Sequence, residues 1–265
     1  MPRLILILVT GIAMLFLGPL YAESLATEPS MTGYEIVLFF HQLLFVYWLG
    51  PDIGVYIWSR KVVNPELTPD QRVTAGKMLR HIDFIPRVCI ALMLTVGGIL
   101  TEAVGLEHPA WQMAGIILLG PCWLIMVLIT YFKEGTALGN TVAKLDFWFR
   151  WGLIAAVVAS TAWSFGTGRL AEAPWVGGKL MLFAAVILFG QIMRLRLRPF
   201  MAGLDRLAAE GASDAVNKEM AGSLARATPF MIAIWIGLLG AALLGVVQPG
   251  SPEAEVTASA VAAPR

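Results

Sequence analysis

The chain has 265 residues, of which 58% are hydrophobic and 14% are charged, and its mean hydropathy is positive. These values are too apolar for an ordinary soluble domain of this length and indicate an integral membrane protein. The formal net charge of +1 gives no reason to expect nucleic acid as a partner. The predicted surroundings are a lipid bilayer.

The apolar segment at 4–20 opens the chain. It follows Arg3 and ends in small residues, so 1–22 is predicted to be either a secretory signal peptide or an uncleaved anchor helix. A helix needs about 20 residues to cross a hydrocarbon core of about 30 Å. Six later segments reach that length, and they lie at 34–58, 85–103, 111–131, 147–166, 175–195 and 228–247.

The predicted fold class is therefore all-α, a polytopic membrane bundle of six transmembrane helices after the N-terminal segment. The membrane domain is assigned to 23–247. The remaining segment, 248–265, consists of small, polar and proline residues, which is typical of a disordered tail.

The basic residues predict the orientation of the bundle. Lysine and arginine concentrate in the segments 59–84, 131–150 and 194–226, whereas the alternate segments hold only Arg169 and Arg265. Because basic loops stay in the cytoplasm, these three segments are predicted to be cytoplasmic. A bacterial-type inner membrane location follows, with the C-terminal tail in the periplasm.

Several common functional motifs are absent from the sequence. Cys89 and Cys122 lie in predicted spans without CxxC spacing, so neither a disulfide framework nor a thiolate metal site is indicated. The sequence contains no phosphate-binding glycine loop, zinc-protease motif or nucleophile elbow.

Two ionisable side chains occur in the first span, "FFHQLLFVYWLGPDIGVYIW", at His41 and Asp52. An ionisable group inside hydrocarbon costs roughly 2.5–3.5 kcal/mol, so it usually has a partner or a function. Eleven residues make about three helical turns, which puts both side chains on a similar face, with Trp48 between them.

Helical depth predicts which residues share a site with His41. At 1.5 Å per residue, His41 lies about 10 Å below the outer start of its helix, Lys179 about 6 Å, and Met93 about 15 Å. His41 can therefore meet Lys179 or Met93, and histidine alone or with methionine is an ordinary haem ligand set. His81 lies some 20 Å deeper, which argues against a haem held by both histidines.

Structural interpretations of these residues stay open. His41 can hydrogen-bond a neighbouring helix, and Lys179 can extend its amine to the outer headgroups. Asp52 has no local cation and is expected to pair with Arg80 or Arg87 from the next helix. His108 lies in a short outer turn and is expected to be solvated.

The spacing i,i+4 predicts two helix ion pairs near the cytoplasmic surface. Asp83 and Arg87 form one of them, and Asp146 and Arg150 form the other.

The segments "FHQLLFVYWLG", "NPELTPDQRVTAGKMLRHIDFIPR" and "KLMLFAAVILFGQIMRLRLRPF", with a last span after "ARATPF", resemble HemJ-type membrane protoporphyrinogen oxidases and copper-resistance D-like (CopD-like) membrane domains. The family's first-helix histidine, thought to hold haem b, corresponds to His41. Its tryptophan, arginine, proline and functionally required lysine correspond to Trp48, Arg80, Pro86 and Lys179. The resemblance covers four of the six helices, and 111–166 corresponds to an insertion.

The chain departs from the family pattern beside the lysine. Where the family tends to carry further histidines, this chain has Gly177 or Gly178 and Gln191. The resemblance thus implies haem binding more than the oxidase reaction.

The leading hypothesis is a haem b-binding membrane protein that transfers electrons. His41 is the candidate axial ligand, Lys179 is a second ligand or a partner for a haem propionate, Met93 is an alternative ligand, and Trp48 packs on the porphyrin. Asp52, Arg80 and His81 are predicted to form a polar track that carries protons or binds an anionic substrate.

Two other classes of function remain. One is a permease for copper or another small ion, in which His41, Asp52 and Lys179 line the substrate path. The other is a scaffold whose polar residues only join helices or bind a partner chain. A quinone, a cytochrome or another membrane subunit is the candidate redox partner.

Overall fold

The computed structural model describes residues 32–251, and in that range the chain forms seven helices and no strands. The helices are α1 (Gly33–Val62), α2 (Pro69–Ala103), α3 (Ala110–Phe132), α4 (Ala137–Gly166), α5 (Pro174–Arg196), α6 (Arg198–Glu210) and α7 (Asp214–Val247). The predicted signal or anchor at 1–22 and nearly all of the predicted tail lie outside the described residues. Residues 248–251 follow α7 as a turn.

Local sequence determines where the helices begin. Thr32 and Thr68 cap α1 and α2 through reciprocal capping boxes with Glu35 and Gln71. The side chains of Thr136 and Ser213 cap α4 and α7, and Pro174 begins α5 at a position where a proline costs no hydrogen bond.

Short loops make the long helices run alternately up and down. We call the end with loops 63–68 and 133–136 and segment 197–213 the basic end, and the end with loops 104–109 and 167–173 the opposite end. α1 packs on α2, α5 packs on α7, and a smaller contact between α1 and α7 joins the two pairs. α3 and α4 pack on each other and on the outer sides of α2 and α5.

Five of the helices are long and apolar enough to cross a membrane, namely α1, α2, α3, α5 and α7. The all-helical membrane fold is thus confirmed in its main features, while the sixth predicted span, at 147–166, does not reach the same apolarity. The hydropathy of α4 is lowered by its polar residues and tryptophans, among them Arg150, Ser160 and Thr161. The helices α2 and α7 also begin well before the predicted spans, at Pro69 and Asp214.

The basic end has its own apolar core, in which α1, α2, α6 and α7 meet. Arg72 is 1% exposed there. It donates from Nε to the Val62 carbonyl at 2.6 Å and from Nη1 to Asn217 Oδ1 at 2.8 Å. This one side chain therefore joins the end of α1, the start of α2 and the start of α7.

Candidate functional site

A cavity of about 410 Å³ lies inside the bundle towards the opposite end, and we call it the histidine cavity. Its walls come from α1, α2, α5 and α7, with Val104 and Gln248 at its mouth, and no residue of α3 or α4 lines it. The side chains relevant to ligand binding are those of Tyr34, His41, Gln42, Trp48, Met93, Thr101, Lys179 and Phe183.

His41 presents a partly buried imidazole to this cavity. Its Nδ1 atom is buried and has no hydrogen-bond partner among the described residues. Gly97 of α2 faces the ring, and a Cβ atom on Gly97 would lie 3.2 Å from His41 Cε1. The glycine therefore leaves the space in which the imidazole sits, and the ring retains an unused nitrogen.

Lys179 of α5 reaches the same cavity. Its Nζ atom lies 5.5 Å from the centre of the Trp175 ring, which is a cation–π distance. A Cβ atom on Gly245 of α7 would lie 2.7 Å from that Nζ. No carboxylate between residues 32 and 251 comes within ion-pair distance of Lys179, so its charge lacks an anionic partner there.

Trp48 and Met93 complete the set of residues singled out from the sequence. Trp48 is 4% exposed and packs edge to face on Phe183, with ring centres 6.2 Å apart. Met93 is buried on α2. The structure thus brings His41, Trp48, Met93 and Lys179 to one cavity, whereas their roles towards a cofactor stay predictions.

A second cavity, of about 830 Å³, lies towards the basic end, and we call it the basic cavity. Its charged lining residues are Asp52, Arg80, Asp83, Arg87, Glu134, Lys144, Arg150, Arg194 and Arg198. Asp52 and Arg80 of the predicted polar track both line it. His81 is not among the lining residues; its side chain is exposed, and Nδ1 lies 2.7 Å from the Lys77 carbonyl.

Asp52 has a different partner from the arginine expected. Trp235 of α7 donates from Nε1 to Asp52 Oδ2 at 2.7 Å, while Arg80 pairs with Glu134 at 2.8 Å and with Asp205 at 3.0 Å. A neutral N–H donor satisfies one carboxylate oxygen without bringing a second charge into the bundle. Trp235 was not predicted as the partner of Asp52, because it lies in an apolar span and no sequence pattern singles it out.

Both predicted i,i+4 ion pairs are confirmed. Arg87 bonds Asp83 on α2, and Arg150 bonds Asp146 at 3.1 Å on α4. The second pair belongs to a larger cluster, because Arg194 of α5 also donates to Asp146 at 2.9 Å and Trp123 of α3 donates from Nε1 at 2.9 Å. The guanidinium of Arg150 lies 5.0 Å from the centre of the Trp123 ring.

The positions where the resembled family carries histidine hold other contacts here. Gln191 is 1% exposed and donates from Nε2 to the Phe147 carbonyl at 2.9 Å, which ties α5 to α4. A Cβ atom on Gly177 would lie 2.5 Å from the Phe165 ring, and one on Gly178 would lie 3.0 Å from Leu244. Neither glycine has room for an imidazole in this packing.

His108 is half-buried and bonded rather than free in solvent. Its Nε2 atom lies 2.8 Å from Thr101 Oγ1, and its Nδ1 atom lies 2.9 Å from Arg169 Nη2. Burial of the ring lowers the pKa of His108 from its ordinary value, and the Arg169 charge lowers it further, against the opposing effects of Gln112 and Glu102. Because Arg169 also bonds the Glu107 carbonyl, this group joins the two loops of the opposite end.

Residues 32–251 contain no group of three or more His, Cys, Asp or Glu side chains that could hold a metal ion. Both cysteines are free, with Cys89 buried and Cys122 exposed. No family model matches the chain, and neither a curated protein nor a solved structure is significantly similar to it.

Proposed function

We propose that this protein is a haem b-binding, six-span protein of the inner membrane that transfers electrons. The observation that carries the proposal is the histidine cavity, since His41, Trp48, Met93 and Lys179 line one space inside the bundle. A bound haem would supply one-electron redox chemistry. The protein would set its potential through the axial ligand, burial and hydrogen bonds.

The donor atoms in the cavity fit this cofactor. A neutral imidazole is a common protein ligand of haem iron, and His41 makes no hydrogen bond among the described residues. Its Nδ1 is buried beside Gly97, so Nε2 is the nitrogen that can face the cavity. The thioether of Met93 and the amine of Lys179 are the candidates for a second ligand. Trp48 and Phe183 provide an aromatic wall for a flat, apolar ring system.

Lys179 is also suited to bind a charged substituent at the edge of a haem. Its half-buried ammonium has no carboxylate partner in the described part of the chain, and a cation in that position favours an anionic group on a ligand. A propionate of haem b carries that charge. If Lys179 pairs with a propionate, Met93 remains as the second ligand.

The helix arrangement supports the resemblance to HemJ-type and CopD-like proteins. The histidine cavity is built from α1, α2, α5 and α7, which are the four helices that the resemblance covers. The pair α3 and α4 packs outside this core, as expected for an insertion relative to a four-helix protein.

The proposed topology places α4 as the sixth span and the basic end in the cytoplasm. The C-terminus is then outside, and the histidine cavity lies in the outer half of the membrane. Asp52 and Arg80 in the basic cavity would connect this half with the cytoplasm, and an electron partner such as a quinone, a cytochrome or another subunit would complete the reaction.

The experiment is a reduced-minus-oxidised absorption spectrum of the detergent-purified protein, with a pyridine haemochrome assay on the same sample. We expect a b-type spectrum with about one haem per chain and its loss in His41→Ala. His81→Ala and His108→Ala are the matched controls, because both remove an imidazole from outside the cavity. Both controls should keep the full haem content.

A colourless protein from haem-replete cells would contradict the proposal. Full haem content in His41→Ala would also contradict it, since Lys179 and Met93 are proposed to assist His41 and not to replace it.

A small-ion permease is the second candidate, because the two cavities adjoin each other. Trp48 and Val186 line both cavities, so these two side chains separate the histidine cavity from the basic cavity. A permease would need the barrier that they form to open. Flux of copper or protons into vesicles of the purified protein, compared with Trp48→Ala, tests this function.

A faster flux in Trp48→Ala than in the unchanged protein, with no haem in either, would favour the permease. Equal and negligible flux in both proteins would leave the haem proposal as the better one.

A further inference from the structure

The basic cavity has two kinds of wall. Its lining includes six basic side chains, namely Arg80, Arg87, Lys144, Arg150, Arg194 and Arg198, and a larger apolar surface with Trp48, Ile90, Met193 and Trp148. A site of this composition suits a molecule that has an anionic group joined to an apolar body.

The cavity reaches the outer surface of the bundle at α4. Trp148 lines it and is 69% exposed, and Lys144 lies one turn earlier on the same helix and is also exposed. Trp148 lies near the start of the predicted span at 147–166, and an exposed tryptophan at the edge of a membrane span lies among the lipid headgroups. The mouth of the cavity at Lys144 and Trp148 therefore faces lipid as well as water.

The positive charges of this cavity are incompletely paired. Asp146 is a single carboxylate that serves two guanidiniums, those of Arg150 and Arg194. Arg150 is also largely buried, with 12% of its side chain exposed. Lys144 and Arg198 have no carboxylate within ion-pair distance in the part of the chain that the structure describes.

The other two arginines of the lining, Arg80 and Arg87, each have a carboxylate partner. Arg80 bonds Glu134 and Asp205, whose side chains are 66% and 71% exposed, and Arg87 bonds Asp83 on its own helix. The surplus positive charge is therefore at the mouth and along α4, α5 and the start of α6. Guanidinium groups bind phosphate oxygens in a bidentate manner, and basic pockets between membrane helices take anionic headgroups.

We propose that the basic cavity binds an anionic phospholipid, with its phosphate at Lys144, Arg194 and Arg198 and an acyl chain along Trp148. The site is independent of the haem proposal, because it shares no ligand candidate with the histidine cavity. A soluble phosphate compound offers the same headgroup chemistry. The apolar wall and the mouth at Trp148 favour the lipid.

The test is native mass spectrometry of the full-length protein in detergent with added phosphatidylglycerol, with phosphatidylcholine as the neutral comparison. The variant Lys144→Gln/Arg198→Gln removes two charges from the mouth without breaking an ion pair, so it should fold as the unchanged protein does. The variant Lys218→Gln/Arg226→Gln removes the same two residue types from the same end, outside the cavity lining and also without breaking an ion pair. Far-UV circular dichroism checks that all three proteins are folded.

We expect phosphatidylglycerol to be retained in preference to phosphatidylcholine. The mouth variant should bind phosphatidylglycerol about twenty-fivefold more weakly, since each of the two basic side chains near an anionic headgroup is worth about fivefold in affinity. The control variant should bind within about twofold of the unchanged protein.

Three results would overturn the proposal. Equal retention of both lipids would exclude recognition of the anionic headgroup. An equal loss in the two variants would show general attraction to a positive surface. Binding of inorganic phosphate alone, weakened in the mouth variant and displacing phosphatidylglycerol, would identify a soluble anion as the ligand.

Discussion

The carboxylates of the basic cavity and the polar groups of the histidine cavity differ in whether they have partners. In the basic cavity, Asp83 and Glu134 are bonded to arginines, and Asp146, which is outside the lining, bonds two more of the lining arginines. In the histidine cavity, the Nδ1 atom of His41 has no partner and the amine of Lys179 has no carboxylate among the described residues. Asp52 is an intermediate case, because its partner is a neutral tryptophan N–H and not a charged group.

This difference separates structural polar groups from candidate ligand groups, which in the basic cavity are Lys144 and Arg198, since neither has a carboxylate partner among the described residues. A buried polar group without a partner costs free energy, so its persistence requires a compensating role. The paired groups of the basic cavity already stabilise the bundle by joining α3, α4 and α5. A bound ligand would give the unpaired groups of the histidine cavity the partners that they lack among the described residues.

The largest effect is expected at the basic cavity, from Asp146→Asn. The substitution leaves Arg150 and Arg194 without their carboxylate, and loss of one member of a buried pair costs about 3–5 kcal/mol of unfolding free energy. Thermal unfolding of the purified protein measures this loss. The matched control, Asp83→Asn, breaks a more exposed pair and should cost less than about 1 kcal/mol.

Equal destabilisation by Asp146→Asn and Asp83→Asn would contradict the view that burial makes the Asp146 cluster a structural centre.

A smaller effect is expected at the histidine cavity, from Gly97→Ala. The new methyl group would lie 3.2 Å from His41 Cε1, so the imidazole has to shift by a few tenths of an ångström. Relative to Gly115→Ala, which gains the same helix propensity, we expect a loss of about 1 kcal/mol in stability and a changed absorption spectrum or haem content. Gly115→Ala is the control, because its methyl group meets no atom within 4 Å.

The proposed link between Gly97 and the ligand would fail if Gly97→Ala and Gly115→Ala gave the same spectrum and the same melting temperature.

The smallest effect is expected from pH at the opposite end. The pKa of His108 is lowered in the folded protein because its ring is partly buried. The unfolded chain therefore binds a proton more readily, and the stability contributed by the neutral ring is lost as the pH falls below about 6.5. Melting temperatures at several pH values between about 7.5 and 5.5 measure this, and His108→Gln should reduce the slope.

An unchanged slope in His108→Gln would show that another group causes the pH dependence, and a greater stability at low pH would contradict the direction.

Much of the fold and part of the candidate site could be predicted from local sequence. Apolar length predicted the five confirmed helices, and helical rise predicted that His41, Lys179 and Met93 lie at similar depths. Both of these properties depend on residues within one helix. The spacing of Asp146 and Arg150 predicted their ion pair for the same reason.

The contacts that sequence reasoning missed join residues far apart in the chain. Trp235 and Asp52 are separated by 183 positions, and Arg194 and Asp146 by 48. Which faces of two helices meet depends on packing across the whole bundle, and side-chain spacing in one helix carries no information about it. The sequence did not predict that α2 begins well before its membrane span, because the first turns of the helix are polar and resemble a loop.

The helices α2 and α7 are longer than a membrane span requires. With 35 and 34 residues, they extend about 20 Å beyond a hydrocarbon core of about 30 Å. Each helix runs from polar turns at the basic end to a residue that lines the histidine cavity, Met93 on α2 and Gly245 on α7, so a single element joins the two ends of the bundle. Pro86 and Pro229 are the points where bending of these helices would concentrate, since each removes a helical hydrogen bond.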